Sequence, residues 1–236
     1  MSPLALLLDY DGTLVPIEAT PEIAAPDDEL LRLLDHVAHR RGTVVHVISG
    51  RPRDVLERWL GALPIALWAE HGFWYRPMGA VEWTPASEIP QGWQDTVKAI
   101  LRPFTAATPG SLIEEKSASL TWHYRLADSE FGARQARELR MRLEAALGHQ
   151  PLEIREGKKV IEVGLRGVHK GLAIQWIVRS AEPPRALIAL GDDATDEDMF
   201  AALPAHAVGI HVGHGPSRAR HWLMNPAAVR EWLMLL

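Results

Sequence analysis

The sequence predicts an α/β fold, with a Rossmann-like core built on a parallel sheet and a smaller inserted α+β cap domain. Segments 4–9, 43–48 and 186–190 are nearly continuous apolar runs, which is typical of strands buried on both faces of a parallel sheet. A segment with helical spacing of apolar residues follows each run, as βαβ units require. Residues 108–166 lack such runs, which indicates a separate unit.

The first part of the core is expected to alternate strands with helices. Continuous apolar stretches are assigned to strands, and stretches with apolar residues every three or four positions to helices. Gly and Pro mark the turns. The expected elements are strand 4–9, helix 27–41, strand 43–48, helix 52–61, strand 65–70, a hairpin turning at Met78-Gly79 and helix 92–106.

The inserted segment has the pattern of a ββαββ block, and the core resumes after it. Its expected elements are strands 111–116 and 119–125, helix 129–147 and strands 152–155 and 159–164. The core then continues with helix 170–181, strand 186–190, helix 196–202, strand 207–211 and helix 226–235, with Arg218–His221 on a solvated helix face. We therefore predict core residues 1–107, cap residues 108–166 and core residues 167–236.

Composition and charge indicate a compact globular protein. A chain of 236 residues with 47% hydrophobic residues can bury one core and a smaller second unit. The net charge of −5 argues against a nucleic-acid partner, and the lack of cysteine excludes disulfides and fits a reducing cytoplasm. The apolar run Leu4–Leu8 is too short for a signal peptide or a membrane span. We expect a cytoplasmic monomer with no membrane partner.

Two acids follow the first apolar strand. Asp9 and Asp11 precede Gly12 and Thr13 at the carboxyl end of that strand, where open α/β sheets form their ligand sites. One carboxylate there can attack an electrophile, and a second can transfer a proton. Asp and Gly are also common turn residues, so this pattern alone is equally compatible with an ordinary turn.

A second acidic cluster follows the apolar strand near residue 190. An acidic first helical turn explains Glu197 and Asp198, but it explains less well why Asp192 and Asp193 stand directly at the strand end. A hard divalent cation with oxygen ligands would explain them. The absence of cysteine excludes a thiolate-bound metal.

The remaining polar residues at strand and helix ends suit a phosphoryl group. Ser49, Gly50 and Arg51 follow the strand 43–48 and offer a hydroxyl, an amide and a guanidinium. Ser-Gly is also a common turn. Lys170 stands at the start of an apolar helix, where the helix dipole disfavours a cation. A bound anion would offset that cost.

The order of these motifs resembles the haloacid dehalogenase (HAD) superfamily of phosphatases. Strings along nearly the whole chain also resemble trehalose-6-phosphate phosphatases. Two are specific to that family, namely Gly191–Phe200 and Trp122–Arg125 within the matching string Leu120–Arg125. The other matching strings are 9–14, 47–51, 69–72, 159–163 and 169–173. His169 departs from the resemblance, because the family often has asparagine before the lysine.

The resemblance implies a Mg²⁺-dependent phosphatase that works through an aspartyl-phosphate. Asp9 is the expected nucleophile and Asp11 the general acid and base, with Lys170 also in the catalytic set. Mg²⁺ would be held by Asp9, Asp11 through its backbone carbonyl, and Asp192. The expected phosphate-binding residues are Ser49, Gly50, Arg51 and Lys170. Asp193 and Asp196 are expected to orient metal-bound waters or to fix the loop.

The cap is expected to choose the substrate, because the core motifs serve many phosphate esters. A sugar offers hydroxyl groups that need both carboxylates and cations. On a strand, Lys158 and Glu162 share one face. The resemblance assigns sugar contacts to the cap residues Glu114, Arg125, Lys158 and Glu162, and Glu70 and His71 are further candidates. A solvated sheet face with incidental salt bridges is the alternative.

Three functions remain open at this point. The first is hydrolysis of trehalose 6-phosphate in trehalose biosynthesis. The second is hydrolysis of another sugar phosphate, such as sucrose phosphate or a glycosyl-3-phosphoglycerate. The third is a non-enzymatic sugar-phosphate-binding regulator, against which the retention of Asp9, Asp11, Lys170 and Asp192 argues.

Overall fold

A computed structural model describes residues 4–18, 23–157, 159–181 and 183–236. Lys158, one of the predicted sugar-binding residues, therefore lies outside the described residues. None of the helices in these ranges is long and apolar enough to cross a membrane.

The elements follow the predicted alternation of strands and helices. They are β1 (Leu4–Asp9), α1 (Asp28–Ala38), β2 (Thr43–Ile48), α2 (Arg53–Leu60), β3 (Ala66–Ala69), β4 (Trp74–Arg76), β5 (Thr84–Pro85), α3 (Trp93–Ala107), β6 (Leu112–Glu115), β7 (Ser119–His123), α4 (Ser129–Leu147), β8 (Leu152–Gly157), β9 (Val160–Leu165), α5 (Gly171–Val178), β10 (Ala186–Gly191), α6 (Ala194–Ala202), β11 (Val208–Val212), β12 (His221–Leu223) and α7 (Pro226–Met234).

The chain forms two compact units. The first unit combines residues 1–86 with residues 169–236, and the second consists of residues 87–168. This division differs from the predicted boundary after residue 107, because it places α3 in the second unit. The reason is that α3 packs on the second sheet: Trp122 Nε1 donates to Thr105 Oγ1 at 3.1 Å, and Lys98 pairs with Glu115 at 2.8 Å.

The first unit contains an eight-stranded sheet in the order β12-β11-β10-β1-β2-β3-β4-β5. The strands from β12 to β3 pair in parallel, and β4 and β5 add to the edge in antiparallel fashion. In the register, Leu8 lies opposite Leu190, and Asp9 lies opposite Ile48. The carboxyl ends of β1, β2 and β10 therefore meet at one edge of the sheet.

Successive side chains of β1 enter different apolar clusters. Leu6 and Leu8 pack with residues of α1, α2 and α7, whereas Ala5 and Leu7 pack with residues of α5 and α6. Both faces of the central strand are thus buried, which explains why its sequence does not alternate with polar residues. The predicted α/β fold with a parallel sheet is confirmed.

The second unit is built on an antiparallel sheet in the order β6-β7-β9-β8. Leu120, Trp122, Ile161 and Val163 are buried on one face of this sheet. The cross-strand row that contains Thr121 belongs to the opposite, polar face. The ββαββ order of this part matches the predicted one, with α4 at the predicted bounds.

One prediction for the C-terminal region is wrong. Residues 218–221 do not form a solvated helix face: Arg218 and Arg220 lie in a loop, and His221 begins β12. Strand β12 pairs with β11 at the edge of the sheet. A strand of three residues is too short to produce a recognisable period in the sequence.

A buried histidine lies within β2. Trp68 Nε1 donates to His46 Nδ1 at 3.2 Å, so the ring proton of the neutral imidazole is on Nε2. Burial lowers the pKa of His46 to about 4, since the apolar surroundings disfavour the imidazolium.

We expect His46 to make the fold sensitive to acid. The unfolded chain binds a proton at this residue below about pH 6.5, while the folded chain does so only below about pH 4. The contribution of neutral His46 to the free energy of unfolding is fully present above about pH 6.5. It falls by about 3 kcal/mol as the pH drops to about 4. Urea unfolding of the wild type and His46→Gln across this range measures it. A difference in the free energy of unfolding between the two proteins that stays constant with pH would contradict the prediction.

Candidate active site

Lys170 joins two buried carboxylates of the first unit. Its Nζ donates to Asp9 Oδ1 at 2.6 Å and to Asp196 Oδ1 at 2.8 Å. All three side chains are at most 4% exposed. Lys170 immediately precedes α5, so this pairing explains the sequence anomaly of a lysine at a helix start: buried carboxylates offset the unfavourable helix dipole.

The loop after β10 is held by Asp193 and Asp196. Asp193 caps α6, and its carboxylate accepts from the amides of Thr195 and Asp196 at 2.8 and 3.2 Å. Asp196 Oδ2 accepts in return from the amides of Asp192 and Asp193 at 2.9 and 3.1 Å. This reciprocal capping uses both carboxylates within the protein. Their geometry therefore favours the predicted role of fixing the loop.

Two carboxylate oxygens at the same place lack protein partners. Asp9 Oδ2 and Asp192 Oδ1 are buried, and neither has a hydrogen-bond partner in the described part of the chain. The Asp192 carboxylate also lies against Gly12, where an added Cβ would come within 2.1 Å of Asp192 Oδ2. Gly12 has a φ of +82°, so both its backbone and its neighbour require glycine.

The acids in this cluster repel one another and are poorly solvated. Burial raises the pKa of Asp9 to about 7 despite the opposing charge of Lys170. Burial, with Asp193 and Asp196 nearby, raises the pKa of Asp192 to about 6. For Lys170, burial opposes the charged form, but Asp9 and Asp196 outweigh it and raise its pKa. The cluster therefore favours further positive charge beside Lys170.

The residues present fit a hard divalent cation. Carboxylate oxygens of Asp9, Asp192 and Asp196 lie within 4.8 Å of one another. Of these three residues, Asp9 and Asp192 carry the oxygens without partners, whereas Asp196 is occupied by Lys170 and two amides. Unpaired buried carboxylate oxygens are what Mg²⁺ prefers as ligands.

Asp11 is held by Arg51. The guanidinium donates through Nε to Asp11 Oδ2 at 2.8 Å and through Nη2 to Asp11 Oδ1 at 2.5 Å. It also lies over the Trp59 ring, 5.0 Å from its centroid. Arg51 was predicted to bind phosphate, and in this structure its fork binds the carboxylate of the predicted general acid. Such two-point pairing fixes the orientation of Asp11.

The end of β3 brings Glu70 and His71 next to the Ser49–Arg51 loop. The amides of Glu70 and His71 donate to the carbonyls of Arg51 and Ser49 at 3.0 and 2.9 Å. Both residues have left-handed backbone angles, with φ of 49° and 58°, and a Cβ at Gly50 would lie 2.5 Å from the His71 ring. Two such residues in succession indicate backbone strain, which is common at functional sites.

Sequence reasoning left one hydroxyl of this loop out of the site. Thr13 is fully buried beside Gly12, and its Oγ1 has no hydrogen-bond partner among the described residues. Its position directly after the Asp-x-Asp-Gly string was the available signal. A buried hydroxyl without a partner is costly, so a bound group is the simplest reason to keep it.

Those predicted cap residues that the structure describes lie on and beside the polar face of the second sheet. Glu114, Thr121 and Glu162 are cross-strand neighbours, and Thr121 Oγ1 donates to Glu162 Oε2 at 3.2 Å. Arg125 is exposed just beyond the end of β7. Strand β9 begins at Val160, so it is shorter than predicted on the side of Lys158.

His123 belongs to the same face, although the sequence analysis did not place it in the site. Its Nε2 lies 2.8 Å from Glu114 Oε2, and Lys116 Nζ lies 3.4 Å from Glu114 Oε1. The hydrogen bond from His123, with Lys116 nearby, lowers the pKa of Glu114 to about 2. Glu114 is therefore held ionised as a hydrogen-bond acceptor.

The family profile of the trehalose-phosphatases matches residues 7–223. The chain belongs to the trehalose-phosphatase family. A bifunctional trehalose-6-phosphate synthase/phosphatase of Thermoproteus tenax is 43% identical over 97% of this chain and 31% of its own length. A trehalose-phosphatase of Zygosaccharomyces rouxii is 39% identical over 82% of this chain and 24% of its own. The chain thus spans about a third or less of these curated relatives.

Solved structures agree with the family assignment. The C-terminal domain of Candida albicans trehalose-6-phosphate phosphatase superimposes with a TM-score of 0.86 at 33% identity, covering 99% of this chain and 92% of that one. A haloacid dehalogenase-like hydrolase of Bacteroides thetaiotaomicron, 15% identical, shares the fold with a TM-score of 0.73 and covers 100% of this chain and 99% of its own. The predicted HAD fold and the predicted family are confirmed.

We expect Lys170 to be required for the stability of this trehalose-phosphatase family fold. Lys170→Met would leave Asp9 and Asp196 buried without their cation, at a cost of about 3–5 kcal/mol. Asp196→Asn removes one of the two buried negative charges. The double variant should therefore be at least about 1 kcal/mol more stable than the sum of the losses of the two single variants predicts. Urea unfolding at pH 7.5 of the four proteins in this cycle measures both quantities. A loss below about 1 kcal/mol for Lys170→Met would show that the ion pairs contribute little.

Proposed function

We propose that this protein is a trehalose-6-phosphate phosphatase, which hydrolyses its substrate to trehalose and phosphate. The observation that carries the proposal is the convergence of Asp9, Lys170 and Asp192 at the carboxyl edge of the sheet in a trehalose-phosphatase family member. The Candida albicans and Zygosaccharomyces rouxii proteins carry that activity in their names. A binding-only protein would not need the pairing of a nucleophile with a general acid.

In the proposed first step, Asp9 Oδ attacks phosphorus in line, and the bond from phosphorus to the sugar oxygen breaks. Asp11 gives its proton to that oxygen, so the sugar leaves as a neutral alcohol and Asp9 is left as an aspartyl-phosphate. In the second step water attacks phosphorus, Asp11 takes the water's proton, and phosphate leaves with Asp9 restored. Lys170, Ser49 and the amides near Gly12 and Gly50 hold the non-bridging oxygens.

The pairing of Arg51 with Asp11 has a consequence for the proton transfer. Both Asp11 oxygens accept from the guanidinium, so Asp11 is free to approach the leaving sugar oxygen only when Arg51 releases one of them. Arg51 is also predicted to bind phosphate, and it would release Asp11 when it does so. We propose that Arg51 turns towards the substrate phosphate and frees Asp11 as it does so.

We propose Mg²⁺ as the resident metal, held by Asp9, Asp192 and the backbone carbonyl of Asp11. When bound, Mg²⁺ orients the phosphate and neutralises part of its charge. The support for it is the pair of buried carboxylate oxygens without protein partners and the hard oxygen character of the donor set. Asp193 and Asp196 then serve by holding the loop that carries Asp192.

We propose that the polar face of the second sheet reads the sugar. Glu114, held ionised by His123 and Lys116, and Glu162 can accept hydrogen bonds from sugar hydroxyls. Arg125 and Lys158 remain the predicted cationic partners. The location of the protein in the cell and its assembly state stay predictions from the sequence, namely cytoplasmic and monomeric.

The proposed activity is tested directly by phosphate release. We expect trehalose 6-phosphate to be hydrolysed with a kcat/KM well above those of sucrose 6-phosphate and glucosyl-3-phosphoglycerate. Asp9→Asn should retain less than about 1% of the activity, because the amide is no nucleophile. A preference for one of the other sugars would transfer the assignment to that substrate, and unchanged hydrolysis by Asp9→Asn would exclude Asp9 as nucleophile.

Removal of divalent metal is expected to abolish turnover. EDTA treatment followed by dialysis should reduce phosphate release at least about 100-fold, and Mg²⁺ should restore it, since the paired acids would otherwise repel the phosphate dianion. Asp192→Asn should raise the Mg²⁺ concentration needed for half-maximal rate. A metal-stripped enzyme with full activity would refute the metal site.

The cap assignment is tested by comparing two substrates. Glu162→Gln should lower kcat/KM for trehalose 6-phosphate about 10- to 1,000-fold, because a charge-assisted contact to the sugar is lost. It should barely affect p-nitrophenyl phosphate, which has no sugar. Part of the loss should appear in kcat, since binding of remote substrate groups also supports the reacting geometry.

Glu144→Gln is the matched control for the cap assignment, because Glu144 lies on α4 in a helical surface pair with Arg140. This variant should leave kcat/KM unchanged for both trehalose 6-phosphate and p-nitrophenyl phosphate. Equal losses on both substrates for Glu162→Gln would assign Glu162 to the stability of the cap instead.

A further inference from the structure

A cavity lies within the first unit, away from the acidic cluster. Its volume is about 480 Å³, within the usual range for small-molecule sites. Its floor includes Ala5 and Val44, each the second residue of its strand. Asp9 is four residues further along β1, which corresponds to about 13 Å. The cavity therefore belongs to the opposite end of the strands from the proposed phosphatase site.

Aromatic rings form the walls of this cavity. Trp68 and Tyr75 stack at a centroid distance of 4.1 Å. Trp176, on α5, stands edge-on to both of them at 6.1 and 6.0 Å. Trp176 is 42% exposed although α5 is otherwise strongly apolar. A planar ring placed in the cavity against this aromatic cluster would cover part of the exposed Trp176 indole.

A hydrogen-bond donor on a largely buried side chain lines the same cavity. His46 is 6% exposed and contributes to the lining. Because its Nδ1 accepts from Trp68, its Nε2 carries the proton. Nε2 has no hydrogen-bond partner among the residues that the structure describes. A ligand acceptor atom in the cavity could accept a hydrogen bond from this N–H.

The rim of the cavity carries a cation. Arg179 and Ser180 follow α5 and belong to the lining. The Arg179 side chain forms no ion pair with any of the described residues, and no acidic residue is among the described residues of the lining. A guanidinium at the mouth of an aromatic cavity selects for an anionic group on the ligand.

From these three features we infer a binding site for a planar aromatic anion, with one or two fused rings packed against the cavity-facing side of the aromatic cluster formed by Trp68, Tyr75 and Trp176. The ring presents an acceptor to His46 Nε2, and its carboxylate or phosphate meets Arg179. The site is independent of the proposed phosphatase reaction, and it lies on elements that also carry Asp9 and Lys170, namely β1 and the start of α5.

The test uses two probes of equal ring size and opposite charge, indole-3-acetate and tryptamine, with binding measured by saturation-transfer NMR and calorimetry on the full chain. We expect indole-3-acetate to bind with a Kd on the order of 1 mM, as its small size implies. Tryptamine should bind at least about fivefold more weakly. Equal binding of both probes would overturn the inference.

Charge reversal at the rim supplies the matched comparison. Arg179→Glu should weaken the binding of indole-3-acetate at least about fivefold, because the attraction between Arg179 and the probe's carboxylate becomes a repulsion. The same change should strengthen the binding of tryptamine. Arg32→Glu makes the same charge change on α1, whose buried residues pack on the other face of the sheet, and should leave both Kd values unchanged. Identical effects of the two variants would mean that only the net charge matters, which would refute the site.

Two further measurements locate the probe. Trp176→Ala should weaken the binding of indole-3-acetate about tenfold, because it removes an aromatic wall. Since Trp176 is partly exposed, we expect this variant to fold, and urea unfolding checks that it does. Asp9→Asn and saturating inorganic phosphate should not alter probe binding. Displacement of the probe by phosphate would place it in the acidic site and overturn the inference.

Discussion

The structure depends on one buried cation, Lys170, held between Asp9 and Asp196. The desolvation of three charged groups is tolerated only because each has a partner within hydrogen-bond distance. This pairing connects the end of β1, the start of α5 and the first turn of α6. The position of the proposed nucleophile, the phosphate-binding cation and the acidic loop therefore follows from a single set of contacts.

The same pairing explains why further positive charge is favoured at the site. Lys170 satisfies one oxygen of Asp9 and one of Asp196, which leaves Asp9 Oδ2 and Asp192 Oδ1 buried and without protein partners. Burial raises the pKa of Asp9 to about 7 and that of Asp192 to about 6. A resident divalent cation would stabilise both as carboxylates, the form that a nucleophile and a metal ligand need.

The two units carry different polar chemistry. The first unit presents acids, a lysine and glycine-lined backbone, which suit a phosphoryl group in the company of a metal. The second presents Glu114, Thr121, His123 and Glu162 on one sheet face, a mixture of acceptors and donors that suits hydroxyl groups. The cavity around Trp68 and Trp176 differs from both, because its walls are aromatic.

Sequence alone determined the parallel core, the positions of its strands and the acids at their ends, because continuous apolar runs and strand-end polar residues are local patterns. Only the tertiary structure decided which distant groups pair. Lys170 meets Asp9 across 161 residues, and Arg51 binds Asp11 across 40. The unit to which α3 belongs, the short edge strand β12 and the left-handed turn at Glu70 and His71 were likewise decided there. Long-range packing and hydrogen bonding select these features. The local periodicity of apolar residues in the sequence does not depend on them and so cannot predict them.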